Sequence, residues 1–171
     1  MKGGLTMTTP MSLGDLASLA DSCLESVIFD QMVAKMDDWN DQRAVVDKWS
    51  EPERVCFVVN ATANEVFNGG FNQFFYNTAG RQFYDIAAHC FTTVGADPWA
   101  KIVQHACDMI DSDEGKTIVA RWGDTPDSFA ASYQDNPLND FDEQFFALDD
   151  KTLSDLIIAY IRANLAAFAS Q

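Results

Sequence analysis

Apolar residues return along this chain every three to five positions, and nowhere do they alternate with polar residues over the length of a strand. That period belongs to helices that bury one face. It predicts a helix from about Asp15, with Leu16, Leu19, Cys23, Val27, Met32 and Met36 on one stripe and Leu24, Ile28 and Phe29 beside it. It is clearest near the end, where Leu153, Leu156, Ile157, Tyr160, Ile161, Leu165 and Phe168 predict one helix from Lys151 to about Ala169. The expected fold is all-α. It is a compact single-domain bundle of roughly seven to nine helices, several short, over residues 12–171. Residues 1–11 are expected to be a flexible N-terminal segment.

Local signals divide the bundle. A short helical piece is expected over Asp41–Trp49. Ser50-Glu51-Pro52-Glu53 is a helix start: serine caps, Glu53 reaches back, and Pro52 tolerates the first turn. That helix should end at Asn68-Gly69-Gly70, where two glycines permit left-handed backbone. The chain restarts over Phe71–Tyr76, breaks at Asn77–Gly80, and forms a helix from about Arg81 that stops at Gly95. Asp97-Pro98 caps and opens the next helix, and Asp111–Gly115 is expected as a loop. Shorter helices are expected over Lys116–Trp122, Thr125–Tyr133 and Asn139–Leu148, with a turn at Asn136-Pro137.

Charge narrows the function. The 171 residues carry 26 acids and 11 bases, a net charge of −15, and 20 of the acids are aspartate. Nucleic acids and anionic membranes need a basic face, so direct contact with either is excluded. No apolar run is long enough to span a bilayer, and MKGGLTMTTPMS has no apolar signal core, so a soluble cytoplasmic protein is expected. The 47% hydrophobic content rules out disorder. Residues 108–155 hold 13 acids against three bases. The candidate partner-binding surface is therefore Asp111, Asp113, Glu114, Asp124, Asp127, Asp140, Asp142, Glu143, Asp149 and Asp150. Asp21/Glu25, Asp37/Asp41, Asp111/Glu114, Asp124/Asp127 and Asp140/Glu143 have helix-neighbour spacing. Like charges so placed on a helix repel by roughly 0.2–0.5 kcal/mol per pair.

Catalytic and metal chemistry find little support. Cys23, Cys56, Cys90 and Cys107 form no CxxC pair and sit among apolar residues, so they are expected as buried thiols. His89 and Cys90 facing His105 and Cys107 would suit zinc, but adjacent helix residues diverge by about 100°. No metal and no cofactor is expected. No GxSxG, HExxH, P-loop or dinucleotide fingerprint occurs, and His89 or His105 beside an acid is too generic to make an enzyme.

The most specific string is Asn68-Gly69-Gly70-Phe71-Asn72-Gln73-Phe74-Phe75, preceded by Glu65 and followed by Asn77 before a small-residue turn. With Gly95-Ala96, the Ser50–Glu53 start and the closing apolar helix, it resembles a bacterial family of acidic DNA-mimic proteins over roughly residues 40–168. The resemblance implies an all-helical fold, no known catalytic activity and self-association. In the understood member, an acidic surface covers the DNA-reading face of a helix-turn-helix regulator and keeps it off its operator. The matching residues are not the acids. They are expected to make the fold: Phe71, Phe74 and Phe75 for the core, Asn68, Gln73 and Asn77 for turn backbone, Gly69 and Gly70 for the turn itself.

The expected function is a DNA mimic that binds a basic helix-turn-helix regulator and blocks its DNA binding, acting as a homodimer through surplus apolar surface from 13 phenylalanines. The alternatives are a neutraliser of a basic nuclease-type toxin and an acidic scaffold without mimicry.

Overall fold

The computed structural model describes residues 11–170. In chain order its helices are α1 (Leu13–Ser18), α2 (Asp21–Lys35), α3 (Gln42–Val46), α4 (Glu51–Tyr76), α5 (Thr78–Thr93) and α6 (Asp97–Asp111). These are followed by α7 (Asp113–Trp122), α8 (Pro126–Ala131), α9 (Leu138–Phe146), α10 (Asp150–Ala163) and α11 (Leu165–Phe168). No strand occurs among the described residues. The all-α class holds, but eleven helices exceed the seven to nine expected.

The extra helices come from two breaks, one held by a long-range contact and one local. The expected first helix divides at Leu19 and Ala20, both extended. Arg162 of α10 donates to the carbonyls of Leu16, Ala17 and Leu19 and pairs with Asp21 at 2.6 Å. A guanidinium from the far end of the chain thus adds donors to the carbonyls at and just beyond the C-terminus of α1. The last helix divides at Asn164, whose amide donates to Tyr160 O at 2.9 Å. The expected loop 111–115 shrinks to Ser112 alone. Its hydroxyl donates to Met109 O and accepts from Gly115 N–H, closing α6 and opening α7. Asp97 starts α6 but Ala96 occupies the cap position, with no side-chain bond.

Other expectations hold. Glu53 accepts from the Ser50 N–H and hydroxyl at 3.0 and 2.8 Å. α5 starts at Thr78 rather than Arg81 and ends where expected, at Gly95 (φ 84°), with Ala96 N–H donating to Phe91 O. The expected flexible segment lies outside the described residues except for Met11, whose carbonyl accepts from Ser170 N–H at 2.8 Å.

α4 organises the packing. α5, α9 and α2 lie against it; α6 packs on α5 and carries α7 and α9; α10 covers α2. Phe57, Phe71, Phe74, Phe83, Phe91 and Phe145 are fully buried. Phe145 of α9 meets the rings of Phe71 and Phe91 edge-on at 5.7 and 6.2 Å. Edge-to-face pairs at this range stabilise beyond their buried area, and they fix α9 against α4 and α5.

Candidate acidic docking surface

The acids singled out above fall on α6 to α10; α6 packs on α7 and α9 and α7 on α8, while α10 packs on α2, α4 and α11. Asp111 ends α6, Asp113 and Glu114 open α7, Asp124 precedes the Thr125 cap, and Asp127 lies in the first turn of α8. Asp140 and Glu143 lie on α9; Asp149 caps α10 and Asp150 starts it. Nine of the ten are exposed.

Their helix positions explain how so much like charge is tolerated. Six of them (Asp113, Glu114, Asp127, Asp140, Asp149, Asp150) occupy a cap or first turn. There the positive end of the macrodipole favours a carboxylate by roughly 0.3–1 kcal/mol. Asp149 also accepts from the Thr152 hydroxyl and N–H, and the hydroxyl bond lowers its carboxyl below the ordinary value. Of the five like-charged pairs, only Asp21/Glu25 and Asp140/Glu143 lie within one helix. Ser112 separates Asp111 from Glu114, and the α8 cap separates Asp124 from Asp127.

Cations are distributed unevenly. Asp21, Asp47, Glu53 and Asp85 each pair with a lysine or arginine. Among the described residues only Asp113 of the nine exposed candidate acids does, with Lys116 at 2.7 Å. Arg121, the one arginine of the acid-rich segment, donates instead to the carbonyls of Ala131, Gln134 and Asp135. Its guanidinium finishes α8 and leaves the neighbouring carboxylates to solvent.

Asp142 does not belong to this surface. It is buried, and its Oδ1 accepts from Phe71 N–H at 2.7 Å. α4 kinks at Gly69 and Gly70, where Gly70 takes φ 70° and ψ −177°. The kink frees backbone groups, and the fold satisfies them: Asp142 takes Phe71 N–H, and Tyr133 OH donates to Gly69 O at 2.8 Å. Burial pushes the Asp142 carboxyl above its ordinary value, and the Phe71 bond partly offsets this. A sequence signal existed: Asp142 lies four residues after Leu138 and three before Phe145, on the stripe that α9 buries.

Most of the glycine-rich segment is structural, with three changes of role. Phe71, Phe74 and Phe75 are core. Gln73 and Asn77 do not serve turn backbone; both donate to Glu65 Oε2, at 2.9 and 2.8 Å, and so tie α4 together across its kink. Asn68 is exposed. The buried polar hub is Asn72, which sequence reasoning passed over. It donates to Ser132 Oγ at 2.8 Å and accepts from Trp122 Nε1 and Asn136 Nδ2 at 2.8 and 3.0 Å. Its partners lie 50–64 residues away, so nothing local marks it.

Among the described residues no group of three or more His, Cys, Asp or Glu side chains is placed to hold a metal ion. Cys56, Cys90 and Cys107 are buried as expected, and burial raises the thiols of Cys90 to about 11 and Cys107 to about 12. Cys23 is exposed, contrary to expectation. His89 and His105 are exposed, and no helix among the described residues is long and apolar enough to cross a membrane.

No curated protein and no solved structure significantly matches the chain. The family model of the DMP19-like protein matches residues 47–164, from the turn before α4 to the end of α10. It takes in the kinked helix, its Asp142 and Asn72 supports, and every acid of the candidate surface. With well over half its length matched, the chain belongs to the DMP19-like protein family.

Proposed function

We propose that this protein is a DNA mimic. Its exposed acids on α6–α10 bind the DNA-reading surface of a basic helix-turn-helix regulator and keep that regulator off DNA. It acts in the cytoplasm without catalytic chemistry or a cofactor. The observation that carries this reading is the set of eight exposed acids from Asp111 to Asp150 with no cation partner among the described residues. Carboxylates left unpaired in a chain of net charge −15 project a negative field toward a basic partner. Helix dipoles stabilise these charges locally, but a dipole's field fades faster with distance than that of a net charge. Family membership supports the same reading.

Self-association fits an exposed pair of aromatic rings that stack. Phe67 and Phe146 are 43% and 49% exposed and lie 6.1 Å apart, an apolar patch that a second copy would cover.

The test reverses six acids to lysine: Asp111, Asp113, Glu114, Asp124, Asp127 and Asp140. Each reversal adds two charges, so the net charge moves from −15 to −3. The reversed protein should keep its helical circular dichroism and lose its hold on the regulator. Undiminished binding by the reversed protein would exclude the mimic.

A further inference from the structure

Asn60, Asn64 and Asn68 stand four residues apart on α4, and all three line one groove between α2 and α4. Its larger part, of 740 Å³, contains Trp39, Glu65 and Asn68; an extension of 290 Å³ contains Asn60 and Glu25; Phe29 and Asn64 line both. Asparagine is disfavoured inside helices because its side chain competes for backbone groups. Asn64 and Asn68 are exposed and make no hydrogen bond among the described residues, so no fold contact accounts for them. Asn60 Nδ2 donates to Cys56 O, which leaves its carbonyl oxygen to accept.

The spacing has a natural complement. Four helical residues rise about 6 Å. Alternate residues of an extended peptide are about 6.6 Å apart. Each carboxamide offers both a donor and an acceptor, as each peptide unit does. From Asn60 to Asn68 the helix advances about 12 Å, the length of roughly four extended residues.

The groove also selects for charge. Trp39 is 50% exposed at its edge. The loop that presents it is fixed: Asp38 Oδ1 accepts from Asn40 N–H at 2.9 Å and Gln82 Nε2 donates to Asn40 O at 2.7 Å. Glu65 receives only amides and has no cation partner among the described residues. An indole and an unneutralised carboxylate lining the same groove suit cationic side chains such as a guanidinium.

We propose that the α2–α4 groove binds an extended basic peptide of about four residues. Its main chain pairs with Asn60, Asn64 and Asn68, and its cationic side chains sit on Trp39 and Glu65. This goes beyond the mimic reading: it uses a different face and needs none of the acids from Asp111 to Asp150.

The probe is a fluorescein-labelled (Ala-Arg)3 hexapeptide, followed by anisotropy at physiological salt. Saturable binding is expected, weakened tenfold or more by the Asn64→Ala/Asn68→Ala pair and by Trp39→Ala. Methylating alternate backbone nitrogens of the peptide should weaken it similarly. Alanine is the better helix former at both asparagine positions, so the paired variant should stay folded. The six-acid reversal should leave the tenfold discrimination intact, which separates this proposal from the mimic. Binding indifferent to the asparagines and to backbone methylation would overturn it, since the overall negative field would then suffice. So would an asparagine variant that changes sedimentation but not peptide affinity, since the groove would then join two copies.

Discussion

Gly70→Ala probes the hinge on which the packing of α4 depends. At φ 70° a side chain is strained whatever the space, which costs about 1–3 kcal/mol. The space is also filled: a Cβ at Gly70 would lie 2.2 Å from Asp142 Oδ2 and 2.6 Å from Asp142 Cγ. The carboxylate must move and give up its bond to Phe71 N–H. A hydrogen bond to a charged group contributes about 1.5–3 kcal/mol. Together the loss is about 2.5–6 kcal/mol, a large share of the roughly 5–15 kcal/mol that holds a domain folded. At this chain length each kcal/mol lowers Tm by about 2–4 °C, so a fall of about 5–24 °C is expected. Urea unfolding and thermal melts followed by circular dichroism measure both quantities. Adding Asp142→Ala removes the obstructing carboxylate, so the double variant should lose less than the sum of the single losses. Gly69→Ala is the control. Its Cβ would meet the end of the Gln73 side chain at 2.2 Å, which can swing away, and Gln73 Cβ at 3.0 Å, which needs a shift of a few tenths of an ångström, so the loss should be about 1–2 kcal/mol. A Gly70→Ala loss below about 1 kcal/mol, or strict additivity with Asp142→Ala, would refute the reasoning.

Asp142 has a pH signature. Burial raises its carboxyl in the folded chain above the unfolded value of about 3.9, so folding favours its protonated form. The stability this adds is complete below about pH 3.9 and is lost as pH rises through the raised folded value. Denaturation midpoints of the wild type should therefore gain on those of Asp142→Asn between pH 7 and 4; a constant difference would contradict this. Asn72→Ala leaves the Trp122 indole, the Asn136 amide and the Ser132 hydroxyl without their shared partner, and should cost about 2–4 kcal/mol with a shift in tryptophan emission. A thiol reagent should titrate one cysteine per native chain, Cys23, and all four after unfolding. More than one fast thiol in the native state would mean that the helices over Cys56, Cys90 or Cys107 open readily.

The features legible in sequence are those whose causes are local. The Ser50–Glu53 start, the kink at Gly69-Gly70 and the stop at Gly95 each depend on residues within a few positions. The missed break at Leu19 and the missed hub at Asn72 have distant partners. Nothing near Leu19 announces that Arg162 will take the carbonyls of α1, and nothing near Asn72 announces Trp122 or Asn136. The acidic surface was legible as composition, because nine of the ten chosen acids are exposed. Asp142 was misplaced because acidity was read without the helical period that sets it beside Leu138 and Phe145. Ser112 shows the opposite error: an acid-rich run read as a loop is one capping residue between two helices.

The central claim is that the acids of α6–α10 stand in for DNA. It is tested most directly by capturing partners on the immobilised protein at low salt, eluting with a salt gradient, and challenging the bound fraction with duplex DNA. Exposed charges are screened beyond about 8 Å at physiological ionic strength. A mimic should therefore hold a basic DNA-binding protein that leaves early in the gradient and that duplex DNA displaces. A partner retained through half-molar salt and indifferent to duplex DNA would contradict it.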